Sequence, residues 1–244
     1  MTMKPLRFEW QLSSPLAGMA LPLHLDALVA YAVTESSLQS GKASGSIRSL
    51  ADKLPLEKAE NEGLWCWKAS ALRPSEEVGQ GIISHETRLW TRRTNEMDYA
   101  TKVVARELEG NVVRVDKQGN LLPMKPYAGV IDTQRGLLKN QFQFIPVKRV
   151  LKVVAYCIGN EDHLLELLHP DSGLVRHLGA RGRSGFGNII GFNYAEDADA
   201  LDRWQERIMP WPVPAYVPIQ AAHQPPYWAA EQRAPSYIHA SLLS

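Results

Sequence analysis

The chain has few of the residues that build metal centres or disulfides. Its 244 residues include only two cysteines, Cys66 and Cys157, which lie in separate apolar segments and form no Cys-x-x-Cys pair. This pattern excludes a cysteine zinc site and is typical of a reducing compartment, so we expect both thiols to be buried. The seven histidines are scattered, and no two are spaced as His-x-x-x-His. The sequence therefore predicts neither a metal site nor a cofactor.

A large excess of charge and a long apolar run are also lacking. The 27 basic and 26 acidic residues leave a formal net charge of +1. A protein that binds nucleic acid over its whole surface is more basic, so any such function must use local patches. The one stretch that resembles a membrane segment, 15–33, is interrupted by Pro22, His24 and Asp26. We therefore expect a cytoplasmic protein with no membrane contact.

What the chain does have is a glycine-rich stretch at 177–189, which reads H-L-G-A-R-G-R-S-G-F-G-N-I. Glycine accepts positive φ and lets another backbone approach closely, so this loop can turn its N–H groups toward a phosphate while arginines add bidentate contacts. An aromatic ring within it could stack on a base or brace the loop. The candidate RNA-binding residues of the loop are His177, Gly179, Arg181, Gly182, Arg183, Ser184, Gly185, Phe186 and Gly187.

Two familiar phosphate-binding loops do not fit this stretch. A dinucleotide fingerprint needs a helix after the glycines, but the apolar, strand-like residues from Ile189 to Tyr194 follow. A P-loop needs a Gly-Lys-Ser/Thr triplet, which the chain lacks. The alternative to an anion-binding loop is a glycine-rich turn between a helix and the last strand.

The first half of the chain predicts a strand, a helix and a second strand. Apolar residues alternate with polar ones over 6–12, and three-and-four spacing marks a helix over 25–33 with Asp26 in its first turn. The serine- and glycine-rich stretch 34–49 is predicted to be a connection, and 63–72 to be a strand that is apolar on both faces.

The second half repeats this order. A strand is predicted over 147–159, then a helix that Asn160 caps and Pro170 ends, and then a closing strand to Tyr194. The fold class predicted is α+β, with a ferredoxin-like (RRM-like) β-α-β/β-α-β core in one domain over 1–208.

Short, polar segments between the two halves, over about 73–146, predict β-hairpins inserted into the core, including one whose turn is 116–120. Arg88, Trp90, Arg92 and Arg93 place cations beside an aromatic ring, which suits single-stranded nucleic acid. The alternative is a solvated hairpin whose arginines pair with nearby glutamates.

Beyond 194, a helix is predicted over 196–208. The tail, 209–244, holds seven of the 16 prolines and several aromatic residues. It is predicted to lack regular secondary structure and to pack in an extended form along the body or a partner.

Together these segments resemble a known family. Pro22 to Leu28 (P-L-H-L-D-A-L), the strand from Val150 to Gly159, the leucine-rich helix and G-A-R-G-R-S-G-F-G-N before the closing strand are similar to the RAMP superfamily of CRISPR-associated RNA-binding proteins. The resemblance covers about residues 6–194. Within the superfamily the chain most resembles the family-five subunit of type IV (Csf) effector complexes.

The resemblance implies a non-catalytic subunit that caps the five-prime handle of the guide RNA (crRNA). It also implies a β-hairpin thumb on the guide, contacts with the backbone and large subunits, and proximity to target DNA near the protospacer-adjacent motif. The loop at 179–187 would bind the handle, and the hairpins of 73–146 would form the thumb, which is matched by position only.

Two rival functions remain open at this point. Some members of the superfamily cut the CRISPR repeat without metal, for which His24, Tyr31 and His177 are the candidate residues. No spacing of His, Lys and Tyr identifies such a trio, so cleavage ranks second. The other rival is a protein-interaction module in which the glycine loop is only a tight connection.

Overall fold

The computed structural model describes residues 2–17, 22–40, 53–77, 79, 81–92, 113–115, 121–123, 140–227 and 229–242. The chain divides into two compact units, the first formed by 1–86 with 146–244 and the second by 87–145. It is a mixed α/β protein whose strands are mostly antiparallel. None of the helices in the described ranges is long and apolar enough to span a membrane.

The described elements are named in chain order. The strands are β1 (Lys4–Leu12), β2 (Leu16–Ala17), β3 (Lys58–Asn61), β4 (Leu64–Trp67), β5 (Arg73–Pro74), β6 (Ile82–Arg92), β7 (Val113–Val115), β8 (Leu121–Pro123), β9 (Gln141–Val150), β10 (Lys152–Gly159), β11 (Ile189–Glu196), β12 (Tyr216–Ala221) and β13 (Ala234–His239). The α-helices are α1 (Leu25–Gln39), α2 (Glu161–Leu168) and α3 (Ala200–Arg203).

The main sheet of the first unit has the order β11-β1-β10-β5. The predicted first strand lies at its centre, with Phe8 opposite Ala155 on one side and Tyr194 on the other. Because side chains alternate along a strand, Leu6, Phe8 and Trp10 share one face, and all three are fully buried. They pack in one apolar core with the buried leucines of α1 and α2.

The opposite face of this sheet is covered by ion pairs and by α3. The Lys152 ammonium lies 2.9 Å from Glu77 and 3.8 Å from Glu9, and Arg7 pairs with Glu9. Arg203 of α3 lies over the Tyr156 ring and donates to its hydroxyl at 2.8 Å. This face therefore presents paired charges rather than exposed aromatic rings.

Both predicted core helices are present. The Asn160 side chain accepts a hydrogen bond from the His163 N–H at 3.0 Å and caps α2, as predicted. The first helix begins at Leu25 as expected but continues to Gln39, so the prediction of a connection from residue 34 was wrong. The Thr34 hydroxyl donates to the Ala30 carbonyl at 2.8 Å, which satisfies this polar side chain inside the helix. The rest of that predicted connection, 41–49, lies outside the described residues.

Two strand predictions need correction. The segment 63–72 is not one continuous core strand, because Leu64–Trp67 pairs with Lys58–Asn61 as a separate hairpin. Beside β10, Ala69 forms an isolated bridge with Cys157, and the two-residue strand β5 pairs further along with Val153 and Val154. The predicted strand over 147–159 is in fact two strands, because the chain bends at Leu151 and β9 pairs with β2 while β10 pairs with β1.

The C-terminal predictions were wrong in a similar way. The helix predicted over 196–208 is only one turn, α3, and its predicted first residue, Glu196, belongs to β11. The proline-rich tail is not irregular, since β12 and β13 form an antiparallel hairpin with Val217 opposite Ile238. It does pack on the body, as expected, and Ser236 and Ile238 are buried.

In the second unit, β7 and β8 form an antiparallel hairpin with Arg114 opposite Leu122, which confirms the predicted pairing. The predicted turn, 116–120, and most of the remaining insertion lie outside the described residues.

Candidate functional site

The glycine-rich loop has an unusual backbone. Gly179, Arg181, Gly185 and Gly187 have φ angles of 76°, 62°, 84° and 64°, so all four lie in the left-handed region that favours glycine. Between them, residues Gly182–Ser184 form one 3₁₀ turn. The Ser184 N–H donates to the Arg181 carbonyl at 2.8 Å, and the Gly185 N–H donates to the Gly182 carbonyl at 2.9 Å.

The loop is held against the segment that follows β1. The Gly187 N–H donates to the Pro15 carbonyl at 2.9 Å, and the Asn188 N–H donates to the Ser14 hydroxyl at 2.8 Å. A bridge also joins Ala17 to Ala180. A Cβ on Gly187 would lie 1.9 Å from the Leu178 carbonyl oxygen, so only glycine fits there. The loop is thus a fixed structure with defined partners.

The loop turns its charged residues outward and its aromatic ring inward. Phe186 is 8% exposed, so its ring braces the loop and has no free face for a base. His177 is half-buried and packs against Gly182. A Cβ added to Gly182 would lie only 2.7 Å from the Cβ of His177. Ser184 and Arg183 are exposed, and Arg181 is half-buried with a partner of its own.

Arg183 and the nearby Arg176 form no hydrogen bond or ion pair with any described residue. The N–H groups of Gly182 and Arg183 likewise have no acceptor there, as expected at the start of a short helical turn. Free N–H groups beside unpaired guanidiniums are chemically suited to an anion.

More positive charge lies next to this loop. Ala17, which bridges to Ala180, pairs on its other side with Val147 of β9, and Leu16 lies opposite Lys148. Arg149 is exposed on the same strand. No acidic residue occurs in 140–150 or in 176–195. The loop and the end of β9 therefore carry an excess of basic residues on a chain that is nearly neutral as a whole.

Of the candidate cleavage residues, His24 is buried and Tyr31 is exposed. His24 is 1% exposed, and its Nε2 accepts a hydrogen bond from the Ile208 N–H at 3.1 Å. Its ring stacks on Tyr227 with centroids 4.7 Å apart, and burial, followed by the charge of Arg207, lowers the pKa of His24 well below its usual range. Tyr31, by contrast, is 52% exposed. His24 thus has a packing role and does not face any open surface.

A buried ion pair beside His24 was missed at the sequence level. The Arg207 guanidinium donates to Asp26 at 3.0 Å, and both side chains are fully buried. The Tyr227 hydroxyl donates to Asp26 at 2.9 Å, and Arg207 also donates to the carbonyls of Trp67 and His223. Burial by itself would lower the pKa of Arg207, but the Asp26 carboxylate, together with Tyr227 and Cys66, raises that pKa above its usual range. The sequence predicted for Asp26 only a favourable negative charge in the first turn of α1.

The other predicted RNA-binding residues belong to β6 and the segment after it. Arg88 is exposed and Trp90 half-buried in the second unit, and each has an interaction partner. Being two residues apart on one strand, they share a face. Arg92 is the last residue of β6, and Arg93 lies outside the described residues.

Both cysteines are unpaired and buried, as expected. Burial raises the pKa of the Cys66 thiol to about 11, which favours the unreactive thiol form. Within the described ranges, no three His, Cys, Asp or Glu side chains are grouped so that they could hold a metal ion.

Comparison with known proteins places the chain in a family. A search of the curated proteins found no match. A family model described as CRISPR type IV associated protein Csf3 matches residues 4–239, which is nearly the whole chain. This match includes the main sheet, the glycine-rich loop and the C-terminal hairpin. The chain therefore belongs to the Csf3 family of CRISPR type IV associated proteins.

Proposed function

We propose that this chain is a non-catalytic RNA-binding subunit of a type IV CRISPR complex and that its glycine-rich loop binds the five-prime handle of the crRNA. The assignment to a type IV CRISPR complex rests on membership of the Csf3 family. The observation that carries the RNA-binding role is the loop itself, which is fixed to residues 13–17 and presents free N–H groups beside the exposed Arg183.

The chemistry of an RNA handle suits this loop. Sequence-specific RNA binding uses unpaired nucleotides whose phosphates meet arginines and whose base edges and 2′-hydroxyls meet backbone groups. Arg183 and Arg181 supply the cations, and a nucleotide can approach the main chain at Gly185, where an added Cβ would meet nothing within 4 Å. Since Phe186 is buried, base stacking is not part of the proposal for the loop.

We further propose that the core is ferredoxin-like and related to the RAMP superfamily. In support, the sheet order β11-β1-β10-β5 is antiparallel throughout, and a helix lies between β1 and β5 in the chain and another between β10 and β11. RRM-type modules bind RNA on the open sheet face with exposed aromatics. The corresponding face here carries ion pairs, which favours the loop over the sheet as the RNA-binding surface.

The remaining assignments follow from the same proposal. The second unit, with Arg88 and Trp90, would serve as the thumb that contacts the guide. The backbone subunits, the large subunit and target DNA near the protospacer-adjacent motif would be the other partners, in the cytoplasm. No cofactor is required for such binding.

One gel experiment tests the proposal. Purified chain is mixed with a labelled repeat–spacer RNA in EDTA, and both retention and strand cleavage are scored. Retention without cutting is expected. Changing Arg181 and Arg183 to Ala should weaken binding about tenfold or more, because charge-assisted hydrogen bonds contribute roughly 1.5–3 kcal/mol each.

The matched control is Lys53→Ala with Arg233→Ala, which removes the same charge from exposed positions elsewhere. Equal affinity of the loop variant and the control would refute the handle-binding role and favour the interaction module. A discrete cut that is lost in His177→Ala would instead identify a metal-independent endoribonuclease.

A further inference from the structure

The second unit carries two exposed phenylalanine rings. Phe142 and Phe144 of β9 are 58% and 77% exposed, and Phe144 is the most exposed large apolar side chain among the described residues. Single exposed apolar residues are common on protein surfaces, but two large rings in one place need an explanation. The glycine-rich loop lies in the first unit and involves neither ring.

The surroundings of the two rings leave them accessible to a ligand. Gln141 and Gln143 alternate with the rings along β9, so their side chains lie on the opposite face of the strand. Ile145 is the first buried residue of this strand. The Phe144 ring contacts no other aromatic ring and no cation in the part of the chain that the structure describes. Phe142 has an interaction partner within the chain but still exposes more than half of its surface.

The spacing of the two rings suits a nucleic-acid base. Side chains two positions apart on a strand share one face and stand roughly perpendicular to the sheet. They are about 6.8 Å apart along the strand, because an antiparallel strand rises about 3.4 Å per residue. Neighbouring nucleotides of a stacked strand are separated by about 3.4 Å, which is half of that distance. One unpaired base can therefore enter between Phe142 and Phe144 and stack on both.

The charge of the second unit indicates an anionic occupant. Residues 87–145 contain ten basic and six acidic side chains, a net charge of +4, whereas the rest of the chain has 17 basic and 20 acidic side chains, a net charge of −3. No acidic residue occurs in 133–150, the stretch that contains both rings. An unpaired nucleic-acid strand supplies both bases for the rings and phosphates for the cations, whereas an apolar protein segment would use the rings alone.

We propose that Phe142 and Phe144 form a stacking site for an unpaired base of single-stranded nucleic acid, whose phosphates meet the cations of the second unit. This inference rests on the part of the proposed function that assigns the second unit to nucleic acid, and it does not depend on the handle-binding loop. Every base has an aromatic face, so the site accepts a base with little regard to sequence. Single strands of RNA and DNA present the same stacking chemistry to it.

The test measures binding of the full chain to labelled oligouridylate and oligothymidylate of equal length, by fluorescence anisotropy at low salt. Phe142→Leu with Phe144→Leu keeps the site apolar but removes both rings, and should weaken binding about fivefold or more. Phe142→Tyr with Phe144→Tyr keeps both rings and should bind like the wild type. The control, Leu38→Ala with Leu201→Ala, removes two exposed apolar side chains elsewhere and should leave the affinity unchanged. The strand whose affinity falls in the leucine variant, RNA or DNA, is the source of the base.

A fluorescent aminopurine base in the same oligonucleotides reports stacking directly. Its emission should be quenched by the wild type and the tyrosine variant but not by the leucine variant, and circular dichroism melting checks that each variant is folded. Equal affinity of the wild type and the leucine variant, or no measurable binding by the wild type, would overturn the proposal. Equal affinity would assign the rings to a protein partner instead. Failure of the handle-binding loop is distinguishable, because Arg181→Ala with Arg183→Ala would then match its own control while the leucine variant still bound more weakly.

Discussion

Two glycines of the loop, Gly185 and Gly187, share a left-handed backbone but differ in their surroundings. A Cβ on Gly185, with φ 84°, would meet nothing within 4 Å, whereas one on Gly187, with φ 64°, would lie 1.9 Å from the Leu178 carbonyl oxygen. Gly185→Ala should therefore cost only the backbone strain, about 1–2 kcal/mol. Gly187→Ala should cost about 3 kcal/mol or more, because the two backbone segments must also separate.

Chemical denaturation of the two variants checks this difference. Gly185→Ala is the matched control, since it has the same substitution and a similar φ. Gly187→Ala should also weaken RNA retention, because it displaces the loop from the Pro15 carbonyl. Equal stabilities for the two variants would contradict the close approach at Gly187.

The buried His24 should make stability depend on pH. Burial, and secondly the charge of Arg207, hold the pKa of His24 well below its usual range, and the same two causes lower the pKa of His223. Near pH 6.5 the unfolded chain takes up a proton that the folded chain does not. The free energy of unfolding should therefore be highest above about pH 6.5. It should decrease as the pH falls below that value, by up to about 1.4 kcal/mol per pH unit for each histidine.

Urea denaturation at a series of pH values between 7.5 and 5, roughly spanning the ordinary pKa of histidine, measures this slope. In His24→Gln the side-chain carbonyl can still accept the Ile208 N–H but does not titrate, so the slope should decrease. A variant that kept the full slope would show that other groups cause it.

Several of these residues could be found from sequence and others could not. The glycines and arginines of the loop were identified by composition, because a left-handed backbone favours glycine and clustered arginines suit an anion, although Arg181 also has a left-handed backbone. Composition did not identify the inward position of Phe186 or the pairing of Asp26 with Arg207. Both depend on segments that are far apart in sequence, and the two residues of the ion pair are 181 positions apart.

The C-terminal hairpin is tied to the body by that ion pair. Arg207 donates to Asp26 at 3.0 Å and to the carbonyls of Trp67, Ala69 and His223, while Tyr227 donates to Asp26. Arg207→Met should destabilise the protein by about 3–5 kcal/mol, because it leaves a buried carboxylate unpaired. Tyr227→Phe removes one hydrogen bond to a charged group and should cost about 1.5–3 kcal/mol.

Hydrogen exchange of β12 and β13 is the informative measurement. In Arg207→Met the amides of the hairpin should exchange faster relative to those of β1, because the tie between hairpin and body is lost. If the hairpin and β1 lost protection equally, the ion pair would be part of the global core and not a tie for this element.

The elements that sequence predicted well were those with strong local signals. The alternation of β1 and the capped, leucine-rich α2 are examples. The strand predicted over 63–72 is interrupted because Trp65 and Trp67 pair in a hairpin with 58–61, with Lys58 over both rings, and only Ala69 bridges the main sheet. The prediction for the tail failed because a proline is compatible with a two-stranded hairpin where its nitrogen points away from the partner strand, as at Pro218 and Pro235.

At the scale of the whole molecule, the near-zero net charge sets a limit on RNA binding. With 27 basic and 26 acidic residues, the isolated chain cannot attract RNA by its overall charge. In the proposed role, binding comes from the few local cations of the loop and of β9. For single-stranded nucleic acid, each phosphate contact adds about 0.7 to the slope of log affinity against log salt. The slope should therefore be shallow, on the order of −2 to −3 for three or four contacts.

This limit gives a prediction that separates loop contacts from general attraction. Affinity for the repeat–spacer RNA is measured by fluorescence anisotropy at several salt concentrations. Arg181→Ala with Arg183→Ala should reduce the magnitude of the slope by about 1.4, the value for two phosphate contacts. The control pair, Lys53→Ala with Arg233→Ala, removes the same net charge away from the loop and should leave the slope unchanged. Equal reductions in both variants would mean that RNA responds to the charge of the whole molecule, and the loop would then lose its assigned role.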